Sequence, residues 1–128
     1  MNEVRVPPGL KVLVVEDDPL VSMTLEDMLD SLGVEVSGPA RSLDEGFALL
    51  GDRKFDLAIL DVSLGRQPVF PLAEALQDQG VTLLFTTGYD RLDGGARFND
   101  CHVLSKPYTT VSLAEAMRVA LGVQHPAA

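Results

Sequence analysis

An α/β fold, a doubly wound five-stranded parallel sheet with helices on both faces, is what the sequence predicts. Two observations carry that reading. Short β-branched or apolar runs alternate with amphipathic stretches from end to end, the pattern of a parallel sheet covered on both sides. Most of the amphipathic stretches also open on a capping residue or a proline and close on glycine, as helices do. At 128 residues the chain fits one domain with a single buried sheet.

The elements follow in order. Residues 1–9, with Pro7-Pro8-Gly9, read as an extended N-terminal segment, 10–122 as the domain and 123–128 as a tail. The run 11–15 (KVLVV) is a buried strand. Asp18 then caps a helix with Pro19 in its first turn, Val21, Leu25, Met28, Leu29 and Leu32 at helical spacing, and Gly33 as its stop. A weaker strand spans 34–38, broken by Glu35 and Ser37. Ser42 with Glu45 three residues on is a capping-box pattern, opening a helix through Phe47 and Leu50 that Gly51 ends. The third strand is 56–60, a helix covers 70–80, and the fourth strand is 81–87. Residues 89–100 carry Gly94-Gly95 and little apolar spacing, so the fourth helix is expected to be weak or missing. A short fifth strand at 101–105 and a helix at 110–122 complete the set.

Composition narrows the function. The formal net charge of −9 disfavours direct contact with nucleic acid or an anionic membrane surface. No apolar run nears the roughly 20 residues of a membrane-spanning helix. The single cysteine, Cys101, rules out an internal disulfide and points to a reducing cytoplasm. After Gly122 too little chain is expected to remain for a DNA-binding module.

In open parallel sheets ligands sit beyond the carboxyl ends of the strands. The residues leaving those ends are Glu16 and Asp17, Asp61, Thr87 and Lys106. If the strands are neighbours, these side chains share one small volume. Two carboxylates about 5 Å apart repel by roughly 3 kcal/mol at an effective dielectric near 20, and three such pairs by about 10 kcal/mol. Protons or a cation must offset this, and carboxylates suit a hard ion such as Mg²⁺. Lys106 adds a positive charge and Thr87 a hydroxyl donor. Together they can offset the charge of a phosphoryl group moving to a carboxylate, with Asp61 as the acceptor at the end of the central strand. Each residue has a plainer reading alone: Asp18 is a helix cap, Glu16 and Asp17 favourable charges near a helix start, Asp61 a turn residue, Lys106 a solvated charge.

The runs 12–18 (VLVVEDD) and 57–65 (LAILDVSLG), Thr87-Gly88 and Lys106-Pro107, in this order and spacing, resemble the receiver domain of bacterial two-component response regulators, over 11–122. The resemblance implies a flavodoxin-like (βα)5 fold and a phosphoprotein that is not an enzyme toward outside substrates but catalyses its own phosphotransfer and slow dephosphorylation. It implies that Asp61 is phosphorylated from a histidine kinase or phosphotransfer protein and that a downstream protein partner receives the signal. It implies Mg²⁺ held by Asp17 directly, by Glu16 through water, by Asp61, and by the backbone carbonyl of Ser63. Lys106 would contact the phosphoryl group and Thr87 would move to bond it. Residues 68–76, 83–90 and 102–108 are further similar to stand-alone receivers with a Phe-Ala-Thr-Gly-Tyr run, linked to stress and sensory phosphorelays; Thr86 stands at the alanine.

Two departures matter. Glu16 stands where aspartate is frequent. Val103, three residues before Lys106, stands where receivers usually carry the aromatic ring that reports phosphorylation. Tyr89 or a reordering of 89–100 is the expected substitute. Val103 also leaves open a second reading, a protein-binding pseudo-receiver that is never phosphorylated. An aspartate-nucleophile phosphatase is disfavoured because Ser63 stands where its general acid would be, and a flavodoxin-like phosphate binder because the first strand leads into Glu-Asp-Asp-Pro.

Overall fold

Five parallel strands form the sheet in a computed structural model that describes residues 6–51, 53–64, 67–88 and 96–122. The elements are β1 (Lys11–Val15), α1 (Pro19–Ser31), β2 (Glu35–Ala40), α2 (Leu43–Leu50), β3 (Leu57–Asp61), a two-stranded hairpin of β4 (Ser63–Leu64) and β5 (Gln67–Pro68), α3 (Phe70–Asp78), β6 (Thr82–Thr87), a 3-10 turn (Ala96–Phe98), β7 (His102–Ser105) and α4 (Thr110–Leu121). The main sheet runs β2-β1-β3-β6-β7, so the central strand is β3. The fold is flavodoxin-like, with four helices among the described residues. Between β6 and β7 those residues hold only the 3-10 turn. Residues 89–95, the first part of the segment expected to lack a stable helix, lie outside the described residues.

Strand alternation divides the apolar side chains into two cores. Leu13, Val15, Leu60 and Phe85 face α2 and α3, while Val12, Val14, Ile59 and Leu84 face α1 and α4. Burial on both faces explains why these strands are continuous apolar runs.

Local chemistry sets the helix ends. The Asp18 side chain accepts hydrogen bonds from Leu20 N–H (2.9 Å) and Val21 N–H (3.3 Å). Ser42 accepts from Glu45 N–H, but the returning Glu45 carboxylate takes Arg41 N–H, one residue before the cap. Thr109 and Ser112 complete a reciprocal capping box on α4.

Three details depart from the sequence pattern. The buried line of α1 is Ser22, Leu25 and Leu29, with Val21 and Met28 half-buried, because the helix turns them toward a groove rather than the sheet. Strand β2 continues past Gly38 to Ala40 through a register shift against β1. Gly38, at φ 104°, makes this possible: a Cβ there would lie 2.6 Å from the Val14 carbonyl oxygen. At the N-terminus, Val6 and Leu10 are buried in the α1/α4 core, so the extended segment is anchored from Val6 onward.

Candidate functional site

The sheet order makes β1, β3, β6 and β7 adjacent, and their carboxyl ends open on one side. Asp61 is the last residue of β3 and Thr87 the last of β6; Asp61 pairs with Thr86 across the two strands. Backbone bonds lock the rim. Glu16 N–H donates to Ala40 O (2.9 Å), Val62 N–H to Thr86 O (3.0 Å), and Lys106 N–H to Thr87 O (2.8 Å). Lys106 therefore leaves β7 beside the end of β6, aimed back over β3.

The side chains converge. Glu16, Asp17 and Asp61 each bring a carboxylate oxygen within 4.8 Å of the others. Lys106 Nζ lies 3.1 Å from Glu16 Oε1 and 3.4 Å from Asp61 Oδ2. Glu16 is 2% exposed and Asp61 7%. Burial pushes the Glu16 carboxyl up to about 7, helped by a hydrogen bond to Asp61 that only the protonated acid can donate; Asp18 N–H and Lys106 pull the other way. For Lys106, burial alone would lower its affinity for a proton. The bond to Glu16 and the charge of Asp61 outweigh that and hold it above the ordinary lysine value.

Three hard oxygen donors in so small a volume fit Mg²⁺, which prefers a few carboxylates and water. A softer metal would want nitrogen or sulfur donors, and none belongs to this cluster. Ser63, expected to add its carbonyl, begins the short β4–β5 hairpin directly beyond Asp61 and pairs with Pro68. This hairpin was not apparent from the sequence. Thr87 is buried at the rim, on the strand that holds Lys106.

Of the two positions that bear on the switch, Tyr89 lies outside the described residues. Val103 pairs with Phe85 and packs, half-buried, on the α2/α3 core. One group beside the site, Tyr108, was not among the site residues that the sequence pointed to. The Tyr108 hydroxyl is buried with no hydrogen-bond partner among the described residues. Burial first, then the charges of Glu16 and Asp61, push it up to about 12, so it stays a protonated donor. The signal in the sequence was only its place two residues after Lys106.

Residues 12–118 match the family described as "Response regulator receiver domain". The chain belongs to that family. This receiver is similar to SdrG from Sphingomonas melonis Fr1, at 37% identity over 92% of this chain and 100% of that one, with a TM-score of 0.78. A BeF3-activated conformation of SdrG, given as from Pseudomonas melonis Fr1, is 36% identical over 91% of this chain and 99% of that one, with a TM-score of 0.75. The phyllosphere-induced regulator PhyR of Methylorubrum extorquens is 27% identical over 98% of this chain. The receiver spans about half of that relative, 49% of its length. Among the described residues no helix is long and apolar enough to cross a membrane.

Proposed function

We propose that this receiver, spanning 10–122, works as a single-domain response regulator whose Asp61 accepts a phosphoryl group from a histidine kinase or phosphotransfer protein. The observation that carries the reading is the Lys106 ammonium bridging Glu16 and Asp61 within a three-carboxylate cluster. An ammonium at that place balances Asp61 in the resting protein and meets a phosphoryl oxygen in the modified one.

In the transfer, the P–N bond of the donor phosphohistidine breaks as a bond from an Asp61 oxygen to phosphorus forms. The imidazole, protonated on its other nitrogen, leaves neutral. Mg²⁺ would be held by Asp17, Asp61 and the Ser63 carbonyl, with Glu16 acting through water, and would supply charge neutralisation. Lys106 takes one phosphoryl oxygen and Thr87 donates its hydroxyl to another. Ser63 cannot act as a general acid for outside substrates, so the protein turns over only its own acyl phosphate, slowly.

A groove of about 430 Å³ beside Lys106, lined by Leu20, Val21, Thr24, Met28, Pro107 and Tyr108, supports docking of the phosphodonor protein there. Leu20 and Met23, 75% and 62% exposed, extend that apolar surface. The likeness to SdrG and PhyR supports signalling onward to a protein partner, by contact or further phosphotransfer. Net charge and the lone Cys101 support a cytoplasmic place without nucleic-acid contact.

Incubation with Mg²⁺ and a small phosphodonor is expected to add the mass of one phosphoryl group, and Asp61→Asn to abolish the gain. No gain in the unaltered protein overturns the reading in favour of a pseudo-receiver, the alternative that Val103 favours.

A further inference from the structure

Strand β6 sends Phe85 and Thr87 to the same face of the sheet, toward α2 and α3. Phe85 is part of a three-ring cluster there. Its centroid lies 5.5 Å from Phe98 in an edge-on contact and 5.8 Å from Phe70, and Phe70 stacks on Phe98 at 5.3 Å. The three rings have unequal anchorage. Phe70 sits on α3 and Phe85 on the strand beside the central one. Phe98 comes from a three-residue turn, yet it is only 1% exposed.

Among the described residues, few bonds hold that turn. Cys101 N–H donates to Phe98 O at 3.0 Å. Outside the core, Arg97 Nε donates to Gln77 Oε1 (2.6 Å) and Nη2 to Glu74 O (3.2 Å), with ion pairs to Glu74 and Asp78. Those ion pairs are solvent-exposed and individually weak, which suits a tether that must release.

Thr87, two residues past Phe85 on the ring face, is 2% exposed. A Thr87 hydroxyl drawn toward β3 by a phosphoryl group on Asp61 would thin the packing on the ring face. Close-packed interiors do not hold such a gap open. Val103, paired with Phe85 on the same face, has no ring to move into it. Phe98 has one, on a three-residue 3-10 turn.

We propose that Phe98, packed against Phe70 and Phe85 and tethered outside by Arg97, is the ring whose movement reports phosphorylation of Asp61. The proposal deepens the reading of Asp61 as phosphoacceptor and rests on it. It makes the surface around Arg97, Gln77 and Asp78 the place where the two states differ.

Aromatic NMR of the full chain, with Mg²⁺ and beryllofluoride titrated in, tests it without a variant. The Phe98 ring signals are expected to shift and its contacts with Phe70 to change, in step with the Lys106 amide. A Phe98 ring unmoved while the Lys106 amide reports full occupancy overturns the proposal and leaves the phosphoacceptor reading intact. Failure of beryllofluoride to perturb Lys106 at all removes the phosphoacceptor reading, and this proposal with it. In a second arm, Arg97→Ala is expected to tighten beryllofluoride binding several-fold, because the resting position loses its tether. Unchanged or weaker binding overturns the tether.

Discussion

Raising the pH of the metal-free protein strips the proton that the fold keeps on Glu16, and stability falls with it. In the unfolded chain this carboxyl titrates near 4.5, in the folded one near 7. The folded state binds more protons in that interval, so the stabilisation is complete below 4.5 and disappears as the pH climbs through 7. A gap of about 2.5 pH units at about 1.36 kcal/mol each is worth about 3 kcal/mol over the full titration. Between about pH 5.5 and about pH 8 roughly 2 kcal/mol of it is lost, a fall of about 6–8 °C in Tm for a chain of this length. Thermal unfolding followed by circular dichroism in a chelating buffer reads the effect. Glu16→Gln, with no titrating proton, is expected to flatten the profile and so separate Glu16 from every other group. Saturating Mg²⁺ is expected to flatten or reverse it, because the ion binds deprotonated carboxylates. A Tm that stays level or rises across this range in chelator refutes the reasoning, as does a Glu16→Gln protein that keeps the full slope.

Two substitutions test the packing around the site and the helices. Tyr108→Phe deletes a buried hydroxyl that has no partner among the described residues; urea unfolding is expected to show unchanged stability or a gain of up to about 1 kcal/mol, and a loss of that size would mean the hydroxyl is bonded. Gly46→Ala puts a methyl group against Leu72, which is fully buried where α2 meets α3. A net loss of about 1–2 kcal/mol is expected even after the roughly 1 kcal/mol helical advantage of alanine, and a gain would mean that the two helices separate easily.

The sheet was legible because its strands are buried on both faces. Runs such as 12–15 and 57–60 leave no polar alternation, and only a parallel sheet between two helical layers hides them completely. Helix ends were legible because Asp18, Ser42 and the helix-ending Gly51 and Gly122 act within a few residues of themselves. What was not legible depends on partners far along the chain. The extension of β2 to Ala40 follows from the Val14 carbonyl lying against Gly38, a contact the local pattern does not encode. The β4–β5 hairpin has only two residues per strand, too few to show a period. Phe98 lies in a segment with little apolar spacing, and its burial comes from Phe70 and Phe85, partners that the local pattern does not reveal.

The site was legible in identity but not in charge state. Residue types and strand order together place Glu16, Asp17, Asp61 and Lys106 in one pocket, and the distances agree. How the pocket balances itself depends on burial. Glu16 is almost sealed, and burial keeps a proton on its carboxyl up to about pH 7 against the pull of the Lys106 ammonium 3.1 Å away. A proton and an ammonium thus already offset the negative charge that a divalent ion would offset. On the proposed reading, uptake of the ion would be an exchange: the proton would leave Glu16, and Lys106 would be free to turn toward a phosphoryl group on Asp61. The same exchange would tie the chemistry to pH: below 7 the proton would compete with the ion, so Mg²⁺ affinity and the rate of phosphorylation by a small donor are both expected to rise as Glu16 deprotonates. Phosphorylation that is insensitive to pH through this range, with Mg²⁺ below saturation, would mean that Glu16 already lacks its proton in the resting fold.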